Sequence, residues 1–131
     1  MKVLRVRPRH YPEVIDIDCS LESLQKEVEG PIQAVYPWDD EVALICNEEG
    51  KLHDDCMEKL NRTLDGPYGI TIDIIVGTFL IVGLTEDDFG ELLPEFVEKY
   101  EKMFHQPRKF VTYTDSEGKA HLYVDYCTPE E

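Results

Sequence analysis

Apolar and polar positions alternate near both ends of the chain, and the period changes in between. "KVLRVRP" (2–8) and "EVIDID" (13–18) run with a period near two, the spacing of strands with one face buried. Pro8 and Pro12 between them suit a turn better than a ladder interior. Leu21, Leu24 and Val28 then fall at i, i+3 and i+7, one face of a short helix. Ser20 can cap its start, and Gly30-Pro31 end it. "IQAVYPW" and "EVALICN" return to strands on either side of Trp38-Asp39-Asp40, and "NEEG" (47–50) is a turn. Residues 51–64 carry no clear period, although Met57 and Leu60 stand at helical spacing.

"ITIDIIVGTFLIVG" (70–83) is the most apolar stretch. It is too short to span a membrane and too rich in Ile and Val for a helix, so it predicts two buried strands with a turn or bulge at Gly77-Thr78. Thr85-Glu86-Asp87-Asp88 has capping-box spacing and predicts a helical start. Pro94 then requires a break, or a fresh helix with Pro94 in its first turn. Phe96, Val97, Tyr100, Met103 and Phe104 share one helical face, and Glu91, Glu95, Glu98 and Glu101 lie on or beside the other. "KFVTYTDSEGKAHLYVDY" predicts a hairpin over about residues 108–126. Seven or eight strands and two helices make a single α+β domain over 1–131, with a mostly antiparallel sheet or a partly open barrel. Its expected core includes Val35, Leu44, Ile45, Ile72, Ile74, Ile75, Phe79, Ile81, Phe96 and Tyr100.

Charge changes the picture more than composition does. The formal net charge is −15, and residues 11–58 hold fourteen acids and two bases. Duplex binding needs Lys and Arg on phosphates, so direct nucleic-acid binding is not expected. No apolar run long enough for a membrane span and no signal-peptide pattern is present, which predicts a cytoplasmic protein. Cys19, Cys46, Cys56 and Cys127 form no Cys-x-x-Cys pair and read as free, buried thiols.

Catalytic signatures are absent. No Gly-x-Ser-x-Gly elbow, Walker loop or dinucleotide fingerprint occurs. Cys56 sits among Asp54, Asp55 and Glu58, not in the electropositive setting of a catalytic thiolate. His53 and Cys56 are a single metal-type pair where structural zinc needs four ligands, and the acids lack an EF-hand rhythm. No enzyme, cofactor or metal site is expected. Two surfaces remain. Asn47, Lys51, Asn61 and Arg62 offer amide and cationic groups for a ligand pocket. Asp39, Asp40, Glu91, Glu95 and Glu98 offer carboxylates for a basic partner; on one continuous helix the last three would form a row.

"NEEGKL", "LNRTL", "DIIVGTFLIVG" and "EFVEKYEKMF", preceded by "LESLQKEVEGPIQAVYPWDD", together resemble a domain family of unknown function from Firmicutes phages, plasmids and conjugative elements. The resemblance spans about residues 1–105, with Asn47, Gly50, Lys51, Asn61, Arg62, Asp73, Gly77 and Gly83 on its motifs. It implies a small accessory protein of a mobile element. The resulting expectation is a counter-defence inhibitor that binds a basic host defence protein through an acidic, nucleic-acid-mimicking surface. The alternatives are a sponge for a nucleotide immune signal and a regulatory or assembly module, with a homodimer possible in each case.

Overall fold

The computed structural model describes residues 1–130. Its order is β1 (Lys2–Val6), β2 (Glu13–Asp16), α1 (Leu21–Val28), β3 (Ile32–Val35), β4 (Val42–Asn47), β5 (Leu60–Asp65), β6 (Thr71–Val76), β7 (Phe79–Leu84), β8 (Phe89–Gly90), α2 (Pro94–Phe104), β9 (Arg108–Thr114) and β10 (Ala120–Tyr126). Single 3-10 turns at Gly50–Leu52 and Cys56–Lys59 fill the stretch without a clear period.

Strand β7 explains the layering. Phe79, Leu80, Ile81 and Val82 are all fully buried, which a strand achieves only when both sheet faces are covered. Leu80 and Val82 pack with Val3, Ala43, Ile45 and the α1 residues Leu24 and Val28. Phe79 and Ile81 face the opposite way, onto Leu4, Val6, Leu44, Leu64, Ile75 and the α2 residues Tyr100 and Phe104. The central sheet has the order β2-β1-β7-β4-β3, with β8 paired to the end of β7, and every pairing is antiparallel. Helix α1 covers one face; α2 and the β5–β6 pair cover the other. The architecture is α+β, and no barrel closes.

The caps follow the sequence. The Ser20 side chain accepts from the Ser23 backbone N–H at 3.2 Å. Pro94 opens α2 at its first turn, where its missing N–H costs nothing. The hairpin β9–β10 pairs in full register from Arg108↔Tyr126 to Thr114↔Ala120.

Several expectations are corrected. The described residues form ten strands, not seven or eight. The turn expected at Gly77-Thr78 is present, with Gly77 at φ +79°, but it carries the chain out of one sheet, where β6 pairs with β5, and into the other. Strand β6 is therefore only half covered, and Ile72 is 61% exposed instead of lying in the core. Thr85–Asp88 closes on itself as a turn, with the Thr85 hydroxyl accepting from the Asp88 N–H, and no helix starts there. Glu91 consequently precedes α2, so no continuous row of Glu91, Glu95 and Glu98 exists. The thiols are free but not buried: Cys19 is exposed and the other three are half-buried.

Candidate functional site

Asn61 and Arg62 stand next to each other in β5, and both are buried. The register slips between Leu60 and Arg62, which leaves Asn61 as the extra residue of a bulge. Its side chain replaces the lost ladder contacts. Nδ2 donates to the Val6 carbonyl at 2.9 Å and to the Gly77 carbonyl at 2.8 Å, tying the end of β1 to the β6–β7 turn.

Arg62 is 2% exposed and has no carboxylate partner among the described residues. Its Nε donates to the Phe104 carbonyl at 3.0 Å, Nη2 to the His10 carbonyl at 2.6 Å and Nη1 to Asn61 Oδ1 at 2.8 Å. Phe104 ends α2, where unpaired carbonyls and the helix dipole favour a cation. Arg62 is thus a cap for α2 supplied from another strand. Burial pushes its pKa down to about 10; the like charge of Arg108 acts in the same direction and Cys127 opposes it. The guanidinium stays charged at neutral pH.

Asn47 caps the other helix. Its Nδ2 donates to the Val28 and Glu29 carbonyls at 3.2 and 3.3 Å, at the C-terminal end of α1, and its Oδ1 accepts from the Glu49 N–H at 2.8 Å. A Cβ on Gly30 would stand 2.6 Å from that Nδ2, so a side chain at position 30 would displace the cap. Lys51 pairs with Asp73 at the surface. Both border a cavity of about 170 Å³ between β4 and β6, with Asn47 and Cys46 in its wall. Burial pushes the Cys46 thiol pKa up, and nearby Asp73 adds to the effect against Lys51.

The four pocket candidates therefore do not meet at one site. Asn47 and Lys51 share the cavity at β4–β6, while Arg62 lines a separate cleft of about 230 Å³ with Trp38, Thr63, Asp65, Met103, Gln106 and Arg108. Asn61 lines neither. Trp38 is held against Tyr100, ring centroids 4.5 Å apart, and Phe104, at 6.0 Å.

The carboxylates gather at one end of the central sheet, where β1 starts and β2, β3 and β7 finish. Asp16 ends β2 and Asp18 follows it, Asp39–Glu41 fill the β3–β4 turn, Glu86–Asp88 follow β7, and Glu91 accepts from the Lys2 N–H at 3.1 Å. Asp40 is already engaged by Lys99 and the Tyr100 hydroxyl, in that order of effect, and its pKa is held below the usual carboxylate range. Burial, then Asp40, pushes the Tyr100 phenol up. Asp39, Glu41, Glu86 and Asp87 make no ion pair or side-chain hydrogen bond among the described residues, and all four are exposed. Glu95 and Glu98 are exposed on α2, where Glu98 pairs with Lys102. Among the described residues no group of three or more His, Cys, Asp or Glu is placed to hold a metal ion, and no helix is long and apolar enough to cross a membrane.

Residues 1–105 match the sequence model of a family described as a domain of unknown function, DUF3846. The chain belongs to that family. No curated protein and no solved structure gives a significant match. The DUF3846 match contains both helices, the central sheet, Asn47, Asn61 and Arg62, and it stops before the β9–β10 hairpin. Arg108 thus lies outside the matched residues, although it lines the same cleft as Trp38 and Arg62. Trp38 and Arg108 were not among the residues singled out from the sequence. They are seventy positions apart, and no local pattern joins them.

Proposed function

We propose that this DUF3846 protein is a non-catalytic accessory protein of a phage or other mobile element, working in the cytoplasm of a bacterial host. It acts as a counter-defence inhibitor that binds a basic host protein one-to-one through the acidic end of its sheet. The observation that carries this reading is the set of exposed carboxylates at Asp39, Glu41, Glu86 and Asp87, which hold nothing in the fold. A chain of net charge −15 keeps such groups together only against their mutual repulsion, and a basic surface relieves it. The side-chain amides of Asn47 and Asn61, which could have served a ligand, are instead spent on backbone carbonyls.

The test uses the full chain as bait in host lysate, beside a variant carrying Asp39→Asn, Glu41→Gln, Glu86→Gln and Asp87→Asn. A basic protein enriched by the wild type and lost by the variant supports the reading. Equal capture by both, or capture of acidic proteins only, rejects it.

Sequestration of a nucleotide is the second reading. The cleft beside Trp38 favours it, because it joins an aromatic wall to two guanidinium-bearing residues.

A further inference from the structure

We infer that the cleft bordered by the β3–β4 turn, β5, the last turn of α2 and the start of β9 binds a small planar anion. The class is a heteroaromatic ring linked to one phosphate or carboxylate, as the base is linked through ribose to the phosphate of a nucleoside monophosphate. This inference is independent of the acidic-end reading and gives the sequestration reading its site.

Charge makes the first argument. The chain holds 13 Lys and Arg against 28 Asp and Glu. Of the five arginines, Arg5, Arg7 and Arg9 form ion pairs, whereas Arg62 and Arg108 form none among the described residues, and these two line the same cleft. Two like charges brought together beside a low-dielectric wall repel, and a bound anion removes that cost. Arg62 spends its donors on the Phe104 and His10 carbonyls and on Asn61, so it contributes charge from behind the wall. Arg108 is the group free to reach the ligand. Its guanidinium lies over the Tyr126 ring, 4.3 Å from the centroid, which fixes its plane without consuming its N–H donors.

Shape and chemistry of the walls make the second argument. Trp38, Met103 and Phe104 form an apolar side, and Trp38 is immobilised by its contacts with Tyr100 and Phe104. Thr63 and Gln106 add polar groups to the lining, with Gln106 held by donation from its Nε2 to the Cys127 carbonyl at 2.7 Å. An apolar, aromatic wall facing a few placed polar groups is the ordinary make-up of a small-molecule site. A volume of about 230 Å³ suits a ligand no larger than a single mononucleotide. Asp65 also borders the cleft, with its Oδ1 accepting from the Thr71 hydroxyl at 3.0 Å. Among the described residues it is the one carboxylate that lines the cleft and opposes an anion there, so it sets an upper limit on affinity that a neutral side chain lifts.

Trp38 is the sole tryptophan and reports its own site. The full chain is titrated with a panel of ribonucleoside monophosphates, with the matching nucleosides and with inorganic phosphate, while tryptophan fluorescence is followed. Saturable quenching by at least one monophosphate is expected, with nucleoside and phosphate alone weaker by about tenfold or more, since each supplies half of the recognition. Arg108→Ala should weaken binding by about tenfold or more, Arg108→Lys should restore part of it, and Asp65→Asn should tighten it. The thermal melt of each variant verifies that it is folded. Absence of saturable quenching across the panel overturns the inference. Binding that survives Arg108→Ala unchanged, or that Asp65→Asn leaves untouched, overturns it as well.

Discussion

Replacing Arg62 with alanine is the perturbation that most sharply separates a structural cap from a ligand anchor. The guanidinium serves three buried acceptors: the Phe104 and His10 carbonyls and Asn61 Oδ1. Hydrogen bonds from a charged donor contribute about 1.5–3 kcal/mol each, so the gross loss is roughly 4–9 kcal/mol. Two effects offset it. The folded state no longer holds a desolvated cation, which burial already disfavours, as its depressed pKa shows. Water from the adjoining cleft can also reach some of the stranded carbonyls. A net cost of about 3–5 kcal/mol remains, as for other broken buried charge networks. With an unfolding entropy near 2.1 cal/mol/K per residue, that lowers Tm by about 10–18 °C for a chain of this length. Arg62→Lys keeps the charge but not the fork, and should recover less than half of the loss. The assay is a thermal melt followed by circular dichroism, with urea unfolding as a second measure. A melt of Arg62→Ala within about 3 °C of wild type would show that the three acceptors do not depend on this side chain, and the capping argument would fail.

Asn47→Ala should cost about 1–2 kcal/mol in urea unfolding, because it uncovers the Val28 and Glu29 carbonyls. Gly30→Ala should be clearly destabilising in the wild type and much less so in the Asn47→Ala background, since the clash is with the Asn47 amide; additive effects would contradict the contact. Gly83→Ala should leave little folded protein, because a Cβ there would stand 2.1 Å from the Glu91 carbonyl oxygen, a backbone atom that cannot swing away; a normal melt would refute it. Asp40 has a folded pKa below the ordinary aspartate value of 3.8, so its carboxylate contributes stability that is complete above about pH 5 and is lost as pH falls through the folded pKa. The stability gap between wild type and Asp40→Asn should therefore be constant from about pH 5 to 8 and close below about pH 4, as read by urea unfolding across pH. If a monophosphate binds at Trp38, mass spectrometry of the released ligand should find it intact; a converted product would mark an enzyme instead of a sink.

The periodic elements were legible because their signals are local. Ser20 and Pro94 mark helix starts by their own chemistry, and the alternation in 108–126 fixes a hairpin without help from elsewhere. Ile72 shows where that reasoning stops. Period-two apolarity marks a strand, but whether the second face is covered depends on the partner, and β6 joins β5 outside the central sheet. The Thr85–Asp88 turn fails for a related reason: the capping-box spacing also suits a side chain that closes a turn, and Pro94 moves the helix start later. Asn61 and Arg62 could be singled out as unusual in an apolar setting. Their partners could not be named, because Val6, His10 and Phe104 reach them through backbone carbonyls, which no residue type reveals.

The acidic end of the sheet is the centre of the functional account, and the salt dependence of partner binding tests it most directly. The affinity of the captured basic partner is measured between 50 and 500 mM salt for the wild type and for the variant carrying Asp39→Asn, Glu41→Gln, Glu86→Gln and Asp87→Asn. Screening shortens the reach of exposed charges to about 4–5 Å at the upper end of that range. The wild type should bind progressively more weakly as salt rises, and the variant should start weaker and depend less on salt. Wild-type affinity that is flat across the range, or a variant that matches it at every concentration, would contradict the account.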